Sequence, residues 1–274
     1  MISNLIVLGA EVFSGNWGIN FNKKEIEKIL LYSNDYGINE IDTASSYNNN
    51  YNLNKVLGEI IKNNKLSYKI ASKFKINKSK EIDVKTIISN VKKDIDQSLK
   101  NFKKDFLDIY YFHSGTNEEF FNDELWFFLN EQVKSGLIKK LGLSIKHDLV
   151  ISNDLKQLYN FDKYNISIVQ TVLNLYSQES LKNLIPYCKE NKLIVYSRMP
   201  LAKGLLTNKY NKNSKFSNSD PRYNKKITKQ ILNFKSKNKN LSLEDVVKWP
   251  LQHTNKIVLS VKNITQIKEI INIK

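Results

Sequence analysis

The chain has 274 residues, 41% of them hydrophobic, with 14 Tyr, 13 Phe and 3 Trp. That is ample material for a large core and excludes a disordered chain. The formal net charge is +16, but the cations are lysines scattered through nearly every segment, and the only arginines are Arg198 and Arg222. Arginine is the better bidentate reader of phosphates and base edges, so no nucleic-acid partner is expected. A basic surface suits the steering of anionic substrates or a phosphorylated cofactor instead.

From the N-terminus, "MISNLIVLGAEVF" lacks the basic start and long apolar core of a leader, and no apolar run reaches the 18 or so residues of a membrane span. A cytoplasmic protein without a membrane partner is expected. The single cysteine, Cys188 in "LIPYCKENK", excludes an intramolecular disulfide and a cysteine-based zinc site, and reads as a buried, inert thiol on a helix. No metal site is expected.

Short apolar runs read as strands at 4–9, 38–42, 68–73, 107–113, 138–144, 166–170, 193–197 and 256–260. Between them, apolar residues recur at three and four in "KKEIEKILLYSNDY", "VKTIISNVKKDIDQSLKNF", "NEEFFNDELWFFLNEQVKSG", "SLKNLIPYCKENK" and "SLEDVVKWPLQH", the pattern of amphipathic helices. Asn22, Ser180 and Ser242 stand where helices start, and Gly37 and Gly136 where helices end. A long irregular segment, 204–226, follows the seventh strand and reads as a functional lid or a disordered stretch. Strand then helix, eight times over, predicts a parallel sheet closed into a (β/α)8 TIM barrel, one domain over residues 1–274. An open doubly wound sheet is the alternative.

In such a barrel the chemistry sits at the carboxyl ends of the strands. Asp42 ends the second run, Lys73 the third and His113 the fourth, and Tyr47 lies five residues past Asp42. Asp42 supplies a countercharge for Lys73. A lysine beside Tyr47 would lower the phenol's pKa and make it a general acid near neutral pH, while His113 orients a substrate carbonyl. No side chain supplies electrons for ketone reduction, so a nicotinamide cofactor is implied. His147 and His253 have no comparable setting and read as structural residues.

"GINEIDTASSY", "KIASKF", "LDIYYFH", "GLIKKLGLS", "VQTVLNLYSQ", "PLAKGLLTNKY" and "VLSVKNITQIKEI" resemble, in order, the successive motifs of the aldo-keto reductases, bacterial type, over nearly the whole chain. The resemblance implies a (β/α)8 barrel that reduces an aldehyde or ketone with NADPH, or with NADH, bound without a Rossmann motif. It implies that Asp42, Tyr47, Lys73 and His113 form the catalytic tetrad, with Tyr47 as proton donor. It also implies that Ser144 and Gln170 hold the carboxamide, although Ile145 stands where the family has Asn. Arg198, placed by Pro200-Leu201, falls where an aromatic ring often stacks on the nicotinamide. Ser260, Lys262, Asn263, Gln266 and Glu269 match the segment around the adenosine phosphate, with Ile270 in place of an Asn.

Two departures bear on substrate. About three residues are added after Tyr47 in "YNNNYNLNKVLG", with Asn54 in the family's Glu position, and the chain ends at Lys274 without the long closing loop of the mammalian branches. An open, polar pocket for a sugar or sugar-linked carbonyl is expected, its substrate set by the loops at 10–21, 48–54, 114–120 and 204–226. Two other readings stand beside this one. The first is a non-catalytic, cofactor-binding regulatory protein. The second is a lyase in which Lys73 forms a Schiff base with a carbonyl.

Overall fold

The computed structural model describes residues 2–15, 19–47, 51–76, 83–238 and 241–273. Eight parallel strands close into one barrel in sequence order: β1 Ile6–Gly9, β2 Glu40–Asp42, β3 Lys69–Phe74, β4 Ile109–His113, β5 Leu141–Ser144, β6 Ile166–Val172, β7 Ile194–Arg198 and β8 Lys256–Leu259. Each falls on an apolar run expected as a strand. The open doubly wound sheet is overturned, because β8 pairs with β1 through Ile6, Val7 and Leu8. Among the described residues no helix is long and apolar enough to cross a membrane.

Alternate residues of each strand face the barrel axis. Val7, Ala71, Ile109, Tyr111, Ile168 and Tyr196 pack there as one buried cluster. Gly142 makes room for it, since a Cβ at that position would stand 2.4 Å from the Tyr111 ring. The outward set, which includes Ile41, Ile70, Phe74 and Leu143, joins the helices in a second, larger core. Burying each such side chain is worth about 1.5–3 kcal/mol, so the helical jacket is held mainly by apolar area. At the amino-terminal end of the barrel Glu40 is buried, accepting from Lys256 Nζ at 2.6 Å and from the Tyr196 hydroxyl at 3.3 Å.

Capping follows the sequence signals in part. Asn22 and Glu25 form a capping box on the helix Lys23–Asp35, and Ser242 and Asp245 form one on Leu243–Leu251. Gly37 and Gly136 adopt φ of 84° and 83° just beyond their helices, as helix-closing residues do. Ser180 is a correction: it is buried in a 3-10 turn and donates to the carbonyl of Val172 at 3.0 Å, while the helix Leu184–Glu190 starts later. The single pattern expected over 117–136 divides into Asn117–Phe120 and Asp123–Lys134, because Asn122 caps a new helix by accepting from Leu125 N–H. Residues 4 and 5, expected in the first strand, belong to a 3-10 turn, Ile2–Leu5.

The irregular stretch after β7 is a built structure. Arg222 is buried with its guanidinium 4.5 Å from the ring centres of both Tyr210 and Phe216. It donates to Asp220 from Nε at 2.8 Å and from Nη2 at 2.5 Å, and to the Lys203 carbonyl at 3.1 Å. Cation–π contact and a paired charge therefore hold a segment that has no regular hydrogen-bond ladder of its own.

Candidate active site

The strand register explains why residues far apart in sequence meet. Asp42 lies opposite Ala71 on β3, and Lys73 is two residues further along on the same face; Lys73 lies opposite Tyr111, and His113 is two further again. This stepwise stagger is the shear of a closed barrel. It lifts each side chain one layer above the last, so that the lysine stem reaches back to the carboxylate.

Lys73 Nζ donates to Asp42 Oδ1 at 2.5 Å and to the Thr43 carbonyl at 2.9 Å, with both charged side chains almost wholly buried. Gln170 Nε2 donates to Asp42 Oδ2 at 2.8 Å, and Ser144 Oγ donates to Gln170 Oε1 at 3.1 Å. A single chain of hydrogen bonds thus crosses the mouth from β5 through β6 and β2 to β3. Asn54 supports it from behind, accepting from Thr43 Oγ1 at 2.7 Å. Losing one member of so buried a pair costs roughly 3–5 kcal/mol, because the other charge is left without its partner.

Tyr47 sits in the 3-10 turn Ser45–Tyr47, its ring centre 5.2 Å from Lys73 Nζ and 6.2 Å from the His113 ring at 84°. The expected lowering of its pKa does not occur. Withdrawal from water, then the carboxylates of Asp42 and Glu11, push the phenol well above its usual value. The Lys73 charge is already engaged by Asp42, and burial lowers the pKa of the lysine itself. Tyr47 therefore remains protonated across the neutral range. Burial, helped by the charges of Lys73, Lys75 and Arg198, takes His113 down to about 2, so it is a neutral imidazole. Its Nδ1 is buried without a hydrogen-bond partner among the described residues.

On the opposite side of the mouth, Arg198 at the end of β7 donates from Nη2 to the carbonyl of Ile145 at 3.1 Å, and its Nε is buried without a partner among the described residues. The Ile145 side chain packs in the outer core, away from the site, so only its backbone takes part. Met199, Ala202 and Lys203, just beyond, have φ of 59°, 46° and 60°, a run of left-handed conformations costly to residues other than glycine and typical of functional loops. Leu201 in this run packs against the core below it.

The residues after β8 divide in two. Ser260 donates to the carbonyl of Gly9 at 3.0 Å and closes β8 against β1. Lys262 lies within electrostatic reach of Lys209, Arg222 and Asp220; the Arg222 charge is already paired with Asp220, so Lys262 and Lys209 are the cations left for a phosphate. Asn263 and Gln266 are already engaged in capping the helix Ile264–Ile271: Asn263 Oδ1 accepts from Gln266 N–H at 3.0 Å, and Gln266 Oε1 from Lys262 N–H at 2.7 Å. Glu269 is exposed and Ile270 buried in the core. The asparagines at 48–50 lie outside the described residues.

Two cavities of about 360 and 430 Å3 lie elsewhere, one between Leu193–Val195 and Gln252–Asn255 at the amino-terminal end of the barrel, the other under the segment 212–233. Neither gathers convergent catalytic groups. No cluster of His, Cys, Asp and Glu among the described residues is arranged to hold a metal. Cys188 is buried, and burial pushes its thiol up to about 12, which makes it inert. His253 meets Trp249 edge-on, with ring centres 4.9 Å apart and planes at 64°. Glu11, two residues past the end of β1, belongs to no motif, and an acid in "LGAE" so near a strand end is the one signal the sequence carries for it.

The mouth of this parallel barrel thus brings together an aspartate, a lysine and a histidine from three successive strands and a tyrosine from the turn after one of them. The chain belongs to the aldo/keto reductase family, which it matches over residues 5–274. It is 28% identical to the oxidoreductase YqkF of Bacillus subtilis over 211 residues, 73% of this chain and 63% of that protein, so it spans less than two thirds of that relative. The fold is shared with the glycerol dehydrogenase AKR11B4 from Gluconobacter oxydans at a TM-score of 0.81 and 20% identity, covering 100% of this chain and 90% of that one. It is shared too with an aldo-keto reductase from Klebsiella pneumoniae in complex with NADPH, at a TM-score of 0.68 and 18% identity, covering 98% and 84%.

Proposed function

We propose that this chain is an NADP(H)-dependent carbonyl reductase in which Tyr47 donates the proton to the substrate oxygen. The observation that carries the reading is the buried Lys73–Asp42 pair, 2.5 Å apart, set beneath the Tyr47 ring and facing a neutral His113. His113 orients the carbonyl oxygen by hydrogen bonding without competing for its proton. Tyr47, held protonated, transfers its proton as charge develops on that oxygen, and the cation of Lys73 stabilises the phenolate left behind.

The residues present fit a dinucleotide. Ser144 and Gln170 offer amide-complementary groups on β5 and β6, Arg198 offers a planar face and an Nε–H without a partner among the described residues, and Lys262 and Lys209 offer countercharges for phosphate. When bound, such a cofactor supplies the hydride. The Schiff-base alternative is weakened by Asp42 and Thr43, which both hold the Lys73 amine as a donor.

Oxidation of NADPH followed by absorbance against a panel of aldehydes, ketones and nucleotide-linked sugars tests the reading. Tyr47→Phe is expected to lower kcat about 10²–10⁴-fold while leaving the NADPH Kd near that of the native chain. Undiminished turnover in that variant would assign the proton to another group, and absence of any NADPH binding would refute the reading.

A further inference from the structure

The larger of the two cavities, about 430 Å3, is lined by no strand residue and lies between the segment that follows β7 and the helix Lys226–Lys237. The positions 225, 228, 229, 232 and 233 that line it are spaced by three and four, so one face of the helix looks onto it. Lys212, Lys215 and Phe216 approach from the segment. Arg222 also lines it, but its charge is already paired with Asp220 at 2.5 Å.

Four lysines, Lys212, Lys215, Lys225 and Lys229, thus border one space that no acidic side chain lines. None of the four forms an ion pair among the described residues. Lys225 and Lys229 are four residues apart at the start of the helix, where like charges repel and the helix dipole is itself positive, and Lys225 provides no side-chain cap. The cavity is short of negative charge. Thr228 adds an observation that does not depend on charge. It lies on the same face and is only 5% exposed, yet its hydroxyl makes no hydrogen bond among the described residues. A buried hydroxyl without a partner costs about 1–3 kcal/mol, so the partner comes from the cavity that Thr228 lines.

We propose that this cavity is an anion site that takes a phosphate-bearing small molecule, whose phosphate oxygens accept from the lysines and from the Thr228 hydroxyl. A phosphate monoester brings close to two charges and three acceptor oxygens, which suits several cations and a hydroxyl better than a carboxylate does. Phe216 and Leu232 give the rest of the ligand an apolar surface. The volume is that of a small-molecule pocket, whereas a nucleic-acid strand needs a continuous groove. Lys262 and Lys209, the cations offered to a cofactor phosphate, do not line this cavity, so the proposal stands apart from the reductase reading.

Calorimetric titration of inorganic pyrophosphate into the chain, with NADPH in excess to keep the cofactor's own site filled, tests the proposal. The native chain is expected to bind one pyrophosphate. The Kd should rise at least about 10-fold when Lys225→Gln and Lys229→Gln are combined, and about 2- to 10-fold in Thr228→Val, which keeps the shape of the side chain without its hydroxyl. Combining Lys92→Gln with Lys93→Gln removes the same charge from an exposed part of the helix Val84–Phe102 and should leave the Kd unchanged. No binding by the native chain overturns the proposal. So does equal weakening in the two double variants, which would mean attraction to a basic surface at large, and so does binding that NADPH abolishes, which would place pyrophosphate in the cofactor's site. A chain that binds pyrophosphate as expected but neither binds nor oxidises NADPH keeps this site and loses the reductase reading.

Discussion

His113 is held neutral by its surroundings, and that has a measurable consequence for stability. Its folded pKa of about 2 lies below the value of about 6.5 that an unfolded histidine has. Below pH 6.5 the unfolded chain takes up a proton that the folded chain refuses, so stability is complete above that pH and is lost as pH falls towards 2. The slope from this one residue approaches ~1.4 kcal/mol per pH unit in the middle of that window. Replacing it, His113→Asn, should flatten the acid limb of a urea-denaturation series taken from pH 4 to pH 8; an unaltered limb would show that His113 titrates normally. The residue types at the strand ends were legible in the sequence because each terminates an apolar run. Tyr47's raised pKa was not, since it depends on Glu11 and Asp42 facing it and on how little water reaches it. The bond from Gln170 to Asp42 spans 128 residues of sequence and had no local signal either.

At the scale of elements, the helix Leu53–Asn63 is pressed against the helix Val84–Phe102 at Gly58. A Cβ there would fall 1.9 Å from the Asn101 carbonyl oxygen, a backbone atom that cannot turn aside. Gly58→Ala is therefore expected to destabilise the fold by at least ~3 kcal/mol, beyond the usual range for an added methylene, as read from the urea midpoint. A loss below ~1 kcal/mol would mean that the two helices separate cheaply. Helix termini marked by a side chain acting three residues away, as at Asn22 and Ser242, were readable in the sequence. Ser180 was not, because its hydroxyl is taken by Val172 and Thr171, which only the folded barrel brings near. The segment 204–226 has the composition of a loop, and its order comes from Arg222 packed against the two touching rings of Tyr210 and Phe216 and paired with Asp220.

For the whole molecule, the barrel is anchored at its amino-terminal end by Lys256, Glu40 and Tyr196 from β8, β2 and β7. Lys256→Met leaves Glu40 buried without its cation, and a loss of about 2–4 kcal/mol is expected, moderated because Lys256 is partly exposed. Adding Glu40→Gln to that variant should restore part of the loss; a double variant no more stable than the single would place the cost elsewhere. The sequence by itself determined the alternation of eight apolar runs with amphipathic helices, and which chemistry ends each run, because strand and helix periodicities are local properties of the chain. Tertiary structure alone decided closure of β8 on β1, the stagger that sets Lys73 against Asp42, and the place of Arg198 across the mouth from them. Those depend on the shear of a closed sheet, which relates residues by register across strands and leaves no mark in the order of residues along them.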